Sequence, residues 1–168
     1  DKTEQDPLTN YNVMIFDQSF GNSSSISLMN TNMHQRDNTR NANVTGVFTQ
    51  INNNKNTHTY ALEAKMSQEF EGQELPKGFA GMLSVRKTSG SYRYHLYSIF
   101  EDEQYNPNDM GFLYSNNEVT NAVSLSYHQF NENKKFINLF NELEIKHQTL
   151  FTDQKFVDLE LELETRVT

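Results

Sequence analysis

Carboxylates and imidazoles hold most of the chemical potential of this chain. Asp102, Glu103, Asp109 and Glu118 gather around the segment from Tyr105 to Asn117 and could offer oxygen ligands to a calcium ion. Their spacing lacks the alternating Asp-x-Asp-x-Asp progression with a closing Glu, so a solvated turn is the expected role. Asn108-Asp109 followed by Gly111 points the same way, with Asp109 bonding local backbone and Gly111 free to take a positive φ. His34, His58, His95, His128 and His147 lie far apart and never form a His-x-x-x-His pattern, so each is expected as a polar group of a loop or a lumen. Glu160, Glu162 and Glu164 recur at every second position, which on a strand means a wet surface or an acidic lumen wall. There is no Gly-x-Ser-x-Gly nucleophile turn, no phosphate-cradling glycine loop and no carboxylate pair with separable roles. No catalytic, cofactor-binding or metal-ligating residue is therefore assigned, and an enzyme is not expected.

The elements that carry these groups must be built from 168 residues, enough for one domain spanning 1–168. The absence of cysteine removes disulfides, thiolate metal sites and a thiol nucleophile. A net charge of −8 without a basic patch argues against binding a nucleic-acid backbone, which needs clustered Lys and Arg. Aromatic residues at 12%, all Tyr and Phe, together with abundant Asn, favour strands and turns over helices. No apolar run reaches the length of a transmembrane helix, but a barrel strand needs to be apolar only at alternate positions. The first residues lack a signal-peptide pattern and do not begin with Met, so a mature piece or a fragment of a larger protein is expected.

Alternation is the dominant pattern. Val157, Leu159, Leu161, Leu163 and Val167 interleave with Asp158, Glu160, Glu162, Glu164 and Arg166. Tyr60, Leu62, Ala64 and Met66 alternate with Glu63, Lys65 and Ser67, and Phe79, Leu83 and Val85 with Ser84 and Arg86. The period returns at Tyr92, Tyr94 and Leu96, at Val123, Leu125 and Tyr127, and at Ile137, Leu139, Leu143 and Ile145 with Asn141 interrupting. Turn signals separate the runs: Gly21-Asn22, Arg36 to Asn43, Asn52 to Asn56, Glu71 to Gly78, Ser89-Gly90-Ser91, Tyr105 to Asn117 and Asn131 to Lys135. The result is an all-β, antiparallel up-and-down meander of roughly eight or nine strands, closed as a β-barrel or forming a partial barrel segment.

Two readings of that meander stay open. The last run alternates over about a dozen residues, longer than the usual soluble strand and sufficient for a tilted membrane strand. Several Tyr residues fall near strand ends, where an outer-membrane barrel carries its aromatic girdle. A soluble, calycin-like barrel holding an apolar ligand would show the same alternation with its faces exchanged.

The phrases Asn10-Tyr11-Asn12-Val13 with Asp17-Gln18, the stretch Ser27 to Asn32, Ala42-Asn43-Val44-Thr45-Gly46, and Tyr105-Asn106-Pro107-Asn108-Asp109-Met110-Gly111-Phe112-Leu113 occur in this order. Together they resemble the barrel region of a Bacteroidota outer-membrane family of unknown function. In that family a carbohydrate-binding family 9-like domain precedes a C-terminal barrel. The resemblance covers about Asn10 to Tyr127. It implies location in the cell outer membrane, a lipid bilayer as partner, and a link to glycan through an amino-terminal domain outside this sequence. It also implies a partial barrel, because Arg166-Val167-Thr168 lacks the aromatic final residue of a closing strand.

Overall fold

A computed structural model describes residues 8–21, 23–36, 41–70, 76–108, 113–129 and 138–167. The elements are β1 (Thr9–Phe20), β2 (Ser24–Gln35), β3 (Asn41–Asn52), β4 (His58–Glu69), β5 (Lys77–Lys87), β6 (Tyr92–Glu101), β7 (Glu118–Gln129), β8 (Leu139–Leu150) and β9 (Phe156–Val167). They form one nine-stranded sheet in sequence order, and every neighbouring pair is antiparallel. The described residues contain no helix.

The runs of alternation and the strands coincide, since an alternating sequence has a stable place only where two faces differ in environment. Ile137 lies outside the described residues; β8 begins at Leu139. Three turn assignments run a little long, because Asn41 already pairs with His34, Asn52 with Thr59 and Lys77 with Gln68. Turn geometry uses residues that tolerate a left-handed backbone, with φ of 54° at Gly21, 52° at Asn56 and 83° at Gly90.

β1 and β9 each have one neighbour, so the sheet is open. With every pair antiparallel, β1 and β9 run in the same direction, and pairing them directly would create a parallel seam. The nine strands are therefore an open meander, not closed into a barrel.

Residues paired across the ladder share a face, so the register divides the sheet into two surfaces. One contains Ala42, Val44, Ser67, Ala80, Ser84, Ala122 and Ser124, all buried. Apart from Ser24 and Gly81, every buried strand residue belongs to this shielded face. The other, open face carries Leu62, Leu83, Leu125 and Leu161, at 47%, 58%, 52% and 68% exposure. No second layer covers either face among the described residues. Small residues are concentrated among the buried positions of one face, and large apolar residues are exposed on the other.

β1 to β3 depart from this division. There the shielded face carries Val13, Ile15, Met29, Met33 and Val44, while the open face carries Asn12, Asn30, Asn32, Asn43 and Thr45. Asn30 and Asn43 donate to each other's side-chain oxygens at 3.1 and 3.2 Å, and Asn30 also donates to Thr45 at 2.8 Å. The open face of this sector carries no Asp, Glu, Lys or Arg.

Candidate functional site

The shielded face collects the charge of the sheet. All eleven strand carboxylates, Asp17, Glu63, Glu69, Glu101, Glu118, Glu142, Glu144, Asp158, Glu160, Glu162 and Glu164, fall on it by register. So do Lys65, Arg86, Arg93, Lys146 and Arg166. On the open face the only charged residues of the nine strands are Lys77 and Lys87, the first and last residues of β5. A terminal lysine can carry its ammonium beyond an apolar band on its own methylene stem.

Across β5 to β9 the shielded face is knit by polar contacts. Ser84 Oγ and His95 Nε2 lie 2.9 Å apart, and Tyr97 donates its hydroxyl to Glu144 at 3.3 Å. Between those two strands stands Ala122, the register partner of both Tyr97 and Lys146; its small side chain lets the phenol reach across β7. Ser124 donates to Glu142, and Lys146 sits 3.3 Å from Glu144 and 3.4 Å from Glu160. A depression of about 490 Å3 lies among these groups, with Arg86 and Arg93 on one side and Glu142 and Glu144 on the other. Ser84 and His95 have the spacing of a nucleophile and its base, but Ser84 is only 8% exposed and no carboxylate is hydrogen-bonded to the imidazole. The arrangement is a polar, charged surface.

The acidic residues around the β6–β7 connection have structural partners. Asp102 accepts from the backbone N–H groups of Phe79 and Gln104 at 2.9 and 3.0 Å. Glu103 accepts from the Thr152 hydroxyl at 3.2 Å, and Glu118 from Ser115 and Gln148 at 2.8 and 2.6 Å. Asp109 and Gly111 lie outside the described residues. Among the described residues no three acidic or imidazole groups converge on a point that could hold a metal ion.

The histidines split between the faces. His95 and His128 line the depression on the shielded face. His34, His58 and His147 lie on strands of the open face by register, not in connections; His58 is held by Thr57 at 2.9 Å and His147 packs 5.9 Å from the Phe156 ring. Glu144 and His147 stand in a Glu-x-x-His spacing, yet strand geometry sends them to opposite faces. Only a helix would bring that pair together.

The open face has its own order. Tyr60, Tyr92, Tyr94 and Tyr127 form a band at one end of β4 to β7, with the Tyr92 and Tyr127 rings 4.8 Å apart. Phe79, Phe100, Phe151 and Phe156 lie at the opposite end, where the Phe100 and Phe151 rings stack at 5.8 Å. Leu62, Leu83, Leu96, Val123, Leu125, Leu143, Ile145 and Leu161 fill the interval. Ser98, Asn121 and His147, partners in one row, interrupt it. From Tyr92 to Phe100 is about 26 Å along β6, taking roughly 3.3 Å per residue.

Fold and faces together define a class: an antiparallel β-meander with its charge confined to one side and an apolar, exposed surface on the other. The chain belongs to the family of the domain of unknown function DUF5916, whose model matches residues 1–168. That match extends past Tyr127, over β8 and β9, where the sequence phrases carry no resemblance. No curated protein and no solved structure matches the chain.

Proposed function

We propose that this chain is a sector of an outer-membrane β-barrel, serving as the membrane anchor or the passage of a surface protein linked to glycan handling, and that it performs no catalysis. The supporting observation is the segregation of charge: no strand carboxylate lies on the exposed face, and its only two strand cations are terminal. Lipid tolerates no charge at mid-depth, whereas water would impose no such exclusion on an exposed surface. Tyr and Phe bands bordering the apolar interval match the paired aromatic girdles of barrels. With strands tilted by 35–45°, the interval between them corresponds to about 20 Å of height, against about 25 Å for the apolar band of known barrels.

The lipid-facing sector in this reading is β4 to β9. The amide-rich open face of β1 to β3 lies at its margin, beside the open edge of β1. The glycan link and an origin in Bacteroidota rest on the resemblance of the sequence phrases alone. A soluble binding barrel would need the leucines inside, and their exposure speaks against it.

The test is fractionation of the native full-length polypeptide. The reading expects it in the outer membrane, resistant to extraction by alkaline carbonate and released by detergent. Recovery as a detergent-free monomer in aqueous buffer would refute it.

A further inference from the structure

The connection from β6 to β7 does not project away from the sheet. Its first part, residues 102–108, turns back onto the shielded face at the end where β4 finishes and β5 begins. Gly78 of β5 faces it directly: a Cβ on Gly78 would lie 2.1 Å from both Cα and N of Tyr105. The amide of Asn106 donates to Ser67 Oγ at 2.9 Å, and its side chain donates to Glu69 Oε1 at 2.6 Å. Tyr105 is 5% exposed, the most buried residue among the described connections. Asn116 donates to the carbonyls of Glu103 and Tyr105 at 3.0 and 3.1 Å, so the return limb ties down the same turn.

Ser67, Glu69 and Gly78 all belong to the charged, shielded face. The segment covers that face where it lies on these three residues. Mobile external loops need no such seat: their backbone bonds water, and no strand residue has to be reduced to glycine to admit them. Here Gly78 provides the clearance, and Ser67 and Glu69 provide the bonds.

We infer that this inward-seated segment sets the aperture of the barrel at the β6–β7 mouth and limits passage to small hydrophilic solutes, with Gly78 as the residue that admits it. The inference rests on the passage form of the function proposed above. Gly78→Leu removes the seat, Asn106→Ala removes the tether, and the pair Ser67→Cys with Asn106→Cys locks the segment down when oxidised.

The experiment is osmotic swelling of phosphatidylcholine vesicles containing the native full-length polypeptide, challenged with neutral sugars from mono- to pentasaccharide. Wild type is expected to admit only the smallest sugars. Gly78→Leu and Asn106→Ala should admit larger ones, with swelling rates raised severalfold, and the oxidised double-cysteine variant should keep the wild-type limit. Wild-type swelling with an unchanged limit in an inserted, folded Gly78→Leu variant overturns the aperture and leaves the passage standing. Insertion without swelling by any variant overturns both, and swelling by Gly78→Leu alone overturns the size-limiting aperture, because wild type would then pass no sugar.

Discussion

Lys146 and Glu160 face each other across β8 and β9 with 3.4 Å between ammonium and carboxylate, and Glu144 lies 3.3 Å from the same ammonium. Removing this cation takes away the nearest counter-charge of Glu144 and Glu160. The side chains are exposed to solvent, so screening keeps the effect small. Lys146→Ala is expected to weaken the β8–β9 pairing slightly. A urea titration at low and high salt checks it, with the larger loss at low salt.

Leu125 and Ser126 are neighbours in β7 and sit on opposite faces. In a bilayer, Leu125→Lys should cost about 2–4 kcal/mol, the depth-dependent penalty for a charge facing lipid. Ser126→Lys, directed toward the charged face, should change stability by less than about 0.5 kcal/mol. Refolding into vesicles against urea measures both, and equal effects would place water at both positions.

Gly81 is covered by the ring of Phe100, whose Cε1 would lie 2.6 Å from an added Cβ, with the carbonyl of Glu63 at 2.9 Å. Gly81→Ala must displace the ring from the Phe band, and the expected loss is about 1–3 kcal/mol, the usual cost of overpacking. Combining it with Phe100→Leu should recover part of that loss. Melting of the four variants provides the cycle.

Burial holds the Tyr105 phenol above its ordinary value of 10.0, and the nearby charges of Glu101 and Glu63 push the same way. The folded state therefore favours the neutral phenol. Its contribution is fully present below pH 10 and is lost as pH rises through the raised value. Urea midpoints should fall in this alkaline window, and Tyr105→Phe should reduce the fall.

Much of the meander is readable in sequence because a face-to-face difference in environment forces a period of two. Leu159, Glu160, Leu161 and Glu162 are the plainest example, and the structure assigns them to opposite faces as written. The sector from β1 to β3 is less readable. Val13, Met14, Ile15 and Phe16 are apolar on both faces, and all four are more than half exposed, so period carries no information there. Near β9 the period itself slips, because a bulge beside Gln148 and Thr149 pairs Phe156 rather than Val157 with Thr149.

Which of the two faces stays exposed depends on how the whole sheet is built, which alternation does not encode. The same holds for Gly78. In the sequence it ends a turn signal; its role depends on Tyr105, which arrives from a connection two strands away. Histidine placement follows strand parity, so His95 and His128 go to one face and His147 to the other.

The most direct test of the account places an environment-sensitive probe at Leu125, Leu161 and Leu163, and separately at Ser124, Glu160 and Glu162, in the native full-length polypeptide in vesicles. Brominated lipids should quench the first set and water-soluble quenchers the second. Leucine-position probes indifferent to brominated lipid, or shielded from every quencher in plain buffer, would contradict a lipid-facing surface.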